Sequence, residues 1–310
     1  MFLTAVKQTR ATISLLKPDD IRARAARPLH IGLVADGSAA FAEMEDFLIP
    51  AAVTHATRLQ LMERVHRATD LDVPETVDLV LYEPGIPCPQ GAFSYRRDNP
   101  EATVAEVLAE KRELSLPLAR QFPVFRKDVL QHIIHSVARD NALFAVATAL
   151  PNILPGLIEL PWALGEIASD TLFLTANQVR MAFEIAAACG KDSGFSAQAM
   201  EVLTIAGSAF GWRALARELV GHIPLGGGLI PKGAIAYAGT YVAGKGLELL
   251  HQYNGLHTPE EQRELYREGF ARGKAVAAAA AQGKSAPAAQ GEAELAAQGL
   301  VAPAARGEAL

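Results

Sequence analysis

Between Phe125 and Gln252 the chain reads as one long apolar, helix-forming block broken at three turns. The breaks are Pro151-Asn-Ile-Leu-Pro155-Gly156, Cys189-Gly190-Lys-Asp-Ser-Gly194 and Gly221-His-Ile-Pro224-Leu-Gly226-Gly227-Gly228. Proline cannot continue a helix and glycine readily ends one, so each segment marks a helical hairpin. Apolar periodicity predicts helices over 128–149, 162–189, 196–220 and 229–253. Each is at least as long as the roughly 20 residues that cross a bilayer core. Such a block must bury its faces against other helices or in lipid.

Composition narrows the choice. Half of the 310 residues are hydrophobic, yet only 6% are aromatic, so alanine and glycine must let the helices approach closely. A net charge of −5 supplies no electrostatic footprint for nucleic acid. Cys88 and Cys189 fit no metal or redox spacing and read as free thiols. Lys7 and Arg10 interrupt the first 16 residues, which lack a signal-peptide layout, so export is not expected.

Ahead of the block lies a smaller unit. Spacing predicts an amphipathic helix over 2–16, then a second helix opening at Pro18-Asp19-Asp20, where proline and carboxylates suit the first turn. Residues 29–34 read as a strand ended by Asp36-Gly37, with Ser38 capping a helix to Leu48. A helix over 54–68, a strand over 77–82, a loop over 86–99 and a helix over 100–113 complete it. After the block, Thr258-Pro259-Glu260-Glu261 is a capping box opening a last helix. The tail repeats Ala-Ala-Gln-Gly at 280–283, 288–291 and 296–299 and has the composition of a disordered segment. The expectation is an α+β protein, mostly α. It comprises a reduced α/β unit (1–120), a helical-hairpin bundle (122–272) and a low-complexity tail (273–310).

Candidate sites are few. Gly32 and Gly37 bracket a strand-to-helix junction as in a phosphate-binding loop, Gly-x-x-x-x-Gly-Lys-Ser/Thr. Here Ser38 replaces the lysine and Ala39 the hydroxyl, which leaves at most weak anion binding at a helix end. His132 and His135 share a helix at a spacing that could hold a metal, but no third ligand lies nearby, and an outward polar face is the plainer reading. Asp170, Asn177 and Gln178 interrupt an apolar helix that also carries Met181 and ends at Gly190. They face other helices or water, whichever medium surrounds the helix. Ala236, Thr240 and Gly244 are four apart, as are Ala234 and Ala238, the small-residue spacing of close helix crossings. No cofactor motif and no catalytic constellation is present, and no cofactor is expected.

These features together resemble a known family. Phe122-Pro-Val-Phe-Arg126, Ala138-Arg-Asp-Asn141-Ala142 and the Ile153-Leu-Pro-Gly156 turn carry the likeness. So do the segment from Asp170 through Gln178, Met181 and Ile185 to Gly190, Gly211-Trp-Arg213-Ala-Leu-Ala216, and Ala234 through Thr240 to Gly244. Residues 122 to about 255 are similar to the YcjF-like family of bacterial proteins, fused to or encoded beside Era-like GTPases. Cys189 departs from the aromatic residue that the family usually has there. The resemblance implies a membrane-associated helical domain paired with a GTPase module, here degenerate because the phosphate lysine and an Asn-Lys-x-Asp motif are missing.

The expected function is therefore non-enzymatic: a membrane-associated helical protein, with a soluble self-association module and a weak nucleotide-binding switch as alternatives. Arg126 and Lys127 before the block and Arg263, Arg267 and Arg272 after it place both flanks on the cytoplasmic side of the inner membrane, or the whole chain in the cytoplasm. Partners would be the membrane, a helical protein or a second copy, and not nucleic acid.

Overall fold

The structure, a computed structural model, describes residues 18–68, 76–148, 170–192, 194 and 228–282. Residues 273–281, expected in the disordered tail, are helical instead, with Gly273 and Ala277 buried; the expected helices over 2–16 and 196–220 and the tail beyond residue 282 lie outside the described residues. So does the first part of the helix expected over 162–189.

The protein is α+β and mostly helical. Helix α1 (Pro18–Ala26) leads into strand β1 (Ile31–Val34), followed by α2 (Ser38–Leu48), α3 (His55–Met62), β2 (Val65–Ala68), β3 (Leu79–Tyr82) and β4 (Phe93–Ser94). The four strands lie in the order β2-β1-β3-β4, all parallel. Gly32 pairs with His66 on one side and Val80 on the other, so β1 is central. A parallel strand is covered on both faces, which explains its unbroken apolar run, with Ile31, Leu33 and Val34 all buried.

In this sheet region three details differ from the sequence reading. The helix expected over 54–68 stops at Met62, and Val65–Ala68 becomes the edge strand. Thr54 does cap α3, accepting from the Thr57 N–H, but pairing with β1 overrides helix propensity beyond Glu63. The expected loop over 86–99 contributes β4, because Phe93 is buried beside Leu81. Ser38 is not a cap: Gly37 holds that position in extended backbone, and no side chain caps the helix.

Asn99 caps α4 (Pro100–Glu110), whose expected extension to Glu113 is instead a separate 3-10 turn (Arg112–Leu114), then α5 (Ser115–Gln121). The bundle is α6 (Pro123–Ala147), α7 (Asp170–Ala188), α8 (Leu229–Tyr253) and α9 (Pro259–Ala281). Helix α6 begins at Pro123 rather than at residue 128. Asn254 ends α8 in the left-handed conformation, and Thr258 and Glu261 form the expected capping box of α9.

Helices α6 and α8 are antiparallel: Gln131 bonds Glu248 near the sheet end, and Lys232 bonds Thr148 at the far end. Helix α7 also opposes α6, with Arg126 against the Ala188 carbonyl at one end and stacked Phe144 and Phe173 rings at the other. Helix α9 returns along α8. There Gly273 lies so close that a Cβ on it would meet Ala234 Cα at 2.9 Å and Tyr237 Cβ at 2.6 Å. On another face of α8, a Cβ on Gly244 would meet Ile134 Cγ1 at 2.8 Å. Both small-residue stripes of α8 are thus used, Ala234 and Ala238 against α9, Thr240 and Gly244 against α6 and α7. One apolar core runs from Leu29, Ile31 and Phe93 through Phe122, Phe125 and Val129 to Met181 and Tyr237.

Gly273→Ala is expected to destabilise the protein by about 1–3 kcal/mol through overpacking. Gly246→Ala, with open space around the new Cβ, should be neutral or stabilising by up to about 1 kcal/mol. Urea unfolding of both variants checks the contrast.

Candidate functional site

The interior of the bundle contains a polar cluster built from three helices. Asn141 of α6, Asn177 and Gln178 of α7 and Thr240 of α8 are all buried, Asn141 completely. Asn141 Nδ2 donates to Thr240 Oγ1 at 2.8 Å, and Asn177 Nδ2 donates to Asn141 Oδ1 at 2.8 Å. Gln178 Nε2 donates to the same Thr240 oxygen at 3.2 Å, and Thr240 donates to the Ala236 carbonyl at 2.8 Å. A hydroxyl has one proton and two lone pairs. Thr240 uses all three, so the orientations of both amides that donate to it are fixed.

The cluster unites three residues singled out in the sequence: Asn177, Gln178 and Thr240. Ala236 supplies the carbonyl that orients the threonine. Asn141 enters the sequence reading only through the family likeness and not as a candidate site residue. Its signal was a lone amide on the stripe Ile134, Ala138, Ala142, Ala145, all buried. Met181 is buried one turn along α7, beside Gly244. Gly190, at φ 77°, ends α7, as the Lys191 N–H returns to the Ala186 carbonyl at 2.9 Å. Asp170 opens α7, and its side chain lies outside the described residues.

Arginines complete that helix end. Arg120 donates to the carbonyls of Ala187 (3.1 Å) and Lys191 (3.0 Å), and Arg126 to those of Ala119 and Ala188, each at 3.1 Å. Guanidinium charge suits the negative end of a helix. Arg126, one of the positive charges that precede the block, is half-buried, and that burial lowers its pKa. Burial likewise pushes the neighbouring Cys189 thiol up to about 11, a value that leaves it unreactive as a nucleophile. Both cysteines are free.

At the sheet's carboxyl edge the order β2-β1-β3-β4 places a ligand-binding crevice between β1 and β3 in folds of this kind. Gly32 lies inside β1, and only Ala35, Asp36 and Gly37 separate the strand from α2, too short a turn to wrap a phosphate. The Asp36 N–H donates to Glu83 Oε2 at 2.9 Å, so a carboxylate of the chain itself sits at the helix entrance. Arg97 near this edge is paired with Glu43 at 2.8 Å.

His132 and His135 are not brought together. His132 is exposed, whereas His135 turns inward against α8 and α9, correcting the expectation that both face outward. Arg272 reaches His135 Nε2 at 3.4 Å; a guanidinium only donates, so that nitrogen accepts and Nδ1 carries the proton toward Tyr237 Oη at 2.7 Å. Burial, then the charges of Arg272, Lys245 and His132, hold its pKa down to about 4. Among the described residues no three His, Cys, Asp or Glu side chains could hold a metal ion together.

Thr240→Val removes the acceptor of two buried amides and should cost about 1–3 kcal/mol, while Thr240→Ser retains most of the stability. Differential calorimetry compares them. For His135, the folded pKa lies below the unfolded one, so the unfolded chain takes up the extra proton first. Stability therefore falls as pH drops from about 6.5 to about 4. His135→Gln should flatten that part of the urea-midpoint profile.

No family model, no curated protein and no solved structure matches the chain.

Proposed function

We propose that this chain is a non-catalytic, membrane-associating helical module that meets the bilayer with the far end of its bundle. The observation that carries the reading is a convergence of chain ends. The end of α6 and the start of α8 meet where Lys232 bonds Thr148, and the early part of α7 joins them through the Phe144–Phe173 stack. Each leads in sequence into apolar chain. Residues 149–169 carry only Glu159 and Glu166 as charges, and residues 219–231 carry no Asp, Glu, Lys or Arg.

No helix among the described residues is long and apolar enough to cross a membrane. The proposal is therefore association at the interface, with α6 to α9 standing above it rather than spanning it. The Thr240 cluster fits this role, since it satisfies the polar groups of the bundle from within. The carboxylate at the sheet edge speaks for a module without phosphate chemistry, where a nucleotide would meet Glu83 instead of a lysine. The resemblance to the YcjF-like family points the same way.

Flotation of the full chain with vesicles of phosphatidylcholine and phosphatidylglycerol tests the reading. The chain should float with the vesicles. Ile153→Glu combined with Leu157→Glu should abolish flotation while leaving the circular dichroism unchanged. A wild-type chain that stays at the bottom of the gradient overturns membrane association. A rise in Tm with millimolar GTP or ATP and magnesium would overturn the non-nucleotide reading by mass action.

A further inference from the structure

At the amino edge of the sheet two histidines meet. His30, just before β1, and His66, on edge strand β2, bring Nδ1 and Nε2 to 2.9 Å, both side chains half-buried. Their ring planes differ by 24° with centroids 5.2 Å apart. That separation is close to the nitrogen distance plus two ring radii, so the nitrogens face each other head to head. At this distance one nitrogen donates its hydrogen to the other's lone pair, so the pair is a hydrogen bond and not a chelate.

We propose that this pair is a proton-operated clasp on the edge strand. An N–H···N bond needs one donor and one acceptor. With no or one added proton the pair supplies both. With two, each facing nitrogen carries a hydrogen, the bond is lost and like charges oppose each other. The surrounding charges are already engaged. Asp78, before β3, accepts from the His30 N–H at 3.0 Å and from Arg27 at 2.6 Å. Arg64, entering β2, bonds Gln121, and Arg67 pairs with Glu45 of α2 through two hydrogen bonds. Among the described residues no carboxylate bonds to either imidazole ring.

The strand it fastens is short. Among the described residues, 65–68 pair with β1 alone, so side chains tie the strand down: Arg64 to α5, Arg67 to α2 and His66 to the segment before β1. Removing the histidine tie loosens the edge of the sheet without touching the bundle.

Amide hydrogen exchange of the full chain, corrected for intrinsic rates, reads the clasp. As the pH is lowered from about 8 to about 4, protection of residues 65–68 should fall roughly tenfold more than that of β3, which follows the global stability. His66→Gln keeps a donor and an acceptor but never charges, so its protection at 65–68 should follow that of β3 at every pH. Should that variant lose its circular dichroism, His30→Asn serves the same purpose. Protection at 65–68 that is independent of pH in the wild type, or that falls equally in the variant, overturns the proposal.

Discussion

Helix α8 is enclosed by three other helices, and that enclosure depends on backbones approaching closely. Where α9 crosses, Gly269 and Gly273 lie on Ala238 and Ala234; where α6 and α7 cross, Gly244 receives Ile134 and Met181. A side chain at any of these glycines would hold the axes apart. The alanine-rich, aromatic-poor composition is the consequence of this geometry: thin surfaces fill the space that large side chains would otherwise fill. The largest buried residues pack at other places: Phe122 and Phe125 in the core shared with the sheet, Phe183 against α1, and Phe173 against Phe144 at the far end.

Smooth stripes of small residues define distance well but register poorly, because one turn of alanine resembles the next. The Thr240 cluster supplies what they lack. Asn141, Asn177 and Gln178 converge on one hydroxyl and on each other, and sliding any helix by a turn would strand buried amides without partners. Apolar packing therefore sets how near the helices come, and the amides set which residues are opposite. His135 extends the arrangement to α9 through Tyr237 and Arg272.

Features with local chemical causes were legible in the sequence. The bounds of α8 follow from a glycine run before it and Asn254 after it; the capping box at Thr258 is as read; β1 is a plain apolar run. Polar residues inside an apolar helix pointed to the cluster, although Asn141 was hidden because a single amide near a helix end is unremarkable in isolation. What escaped was decided by distant partners. Residues 65–68 carry His66 and Arg67 and look helical, yet β1 recruits them as an edge strand, with Arg67 drawn to Glu45. His135 looked like a surface histidine because its wrapping comes from α8 and α9, more than a hundred positions away.

The arginine grip at the end of α7 has a structural consequence. Arg120 belongs to α5, outside the bundle, and Arg126 to the first turn of α6, and together they hold the final carbonyls of α7. The apolar core passes beneath them without a gap. Sheet and bundle therefore share one core, and whatever exposes the bundle's apolar faces beside this grip also uncovers the side of the sheet packed against them.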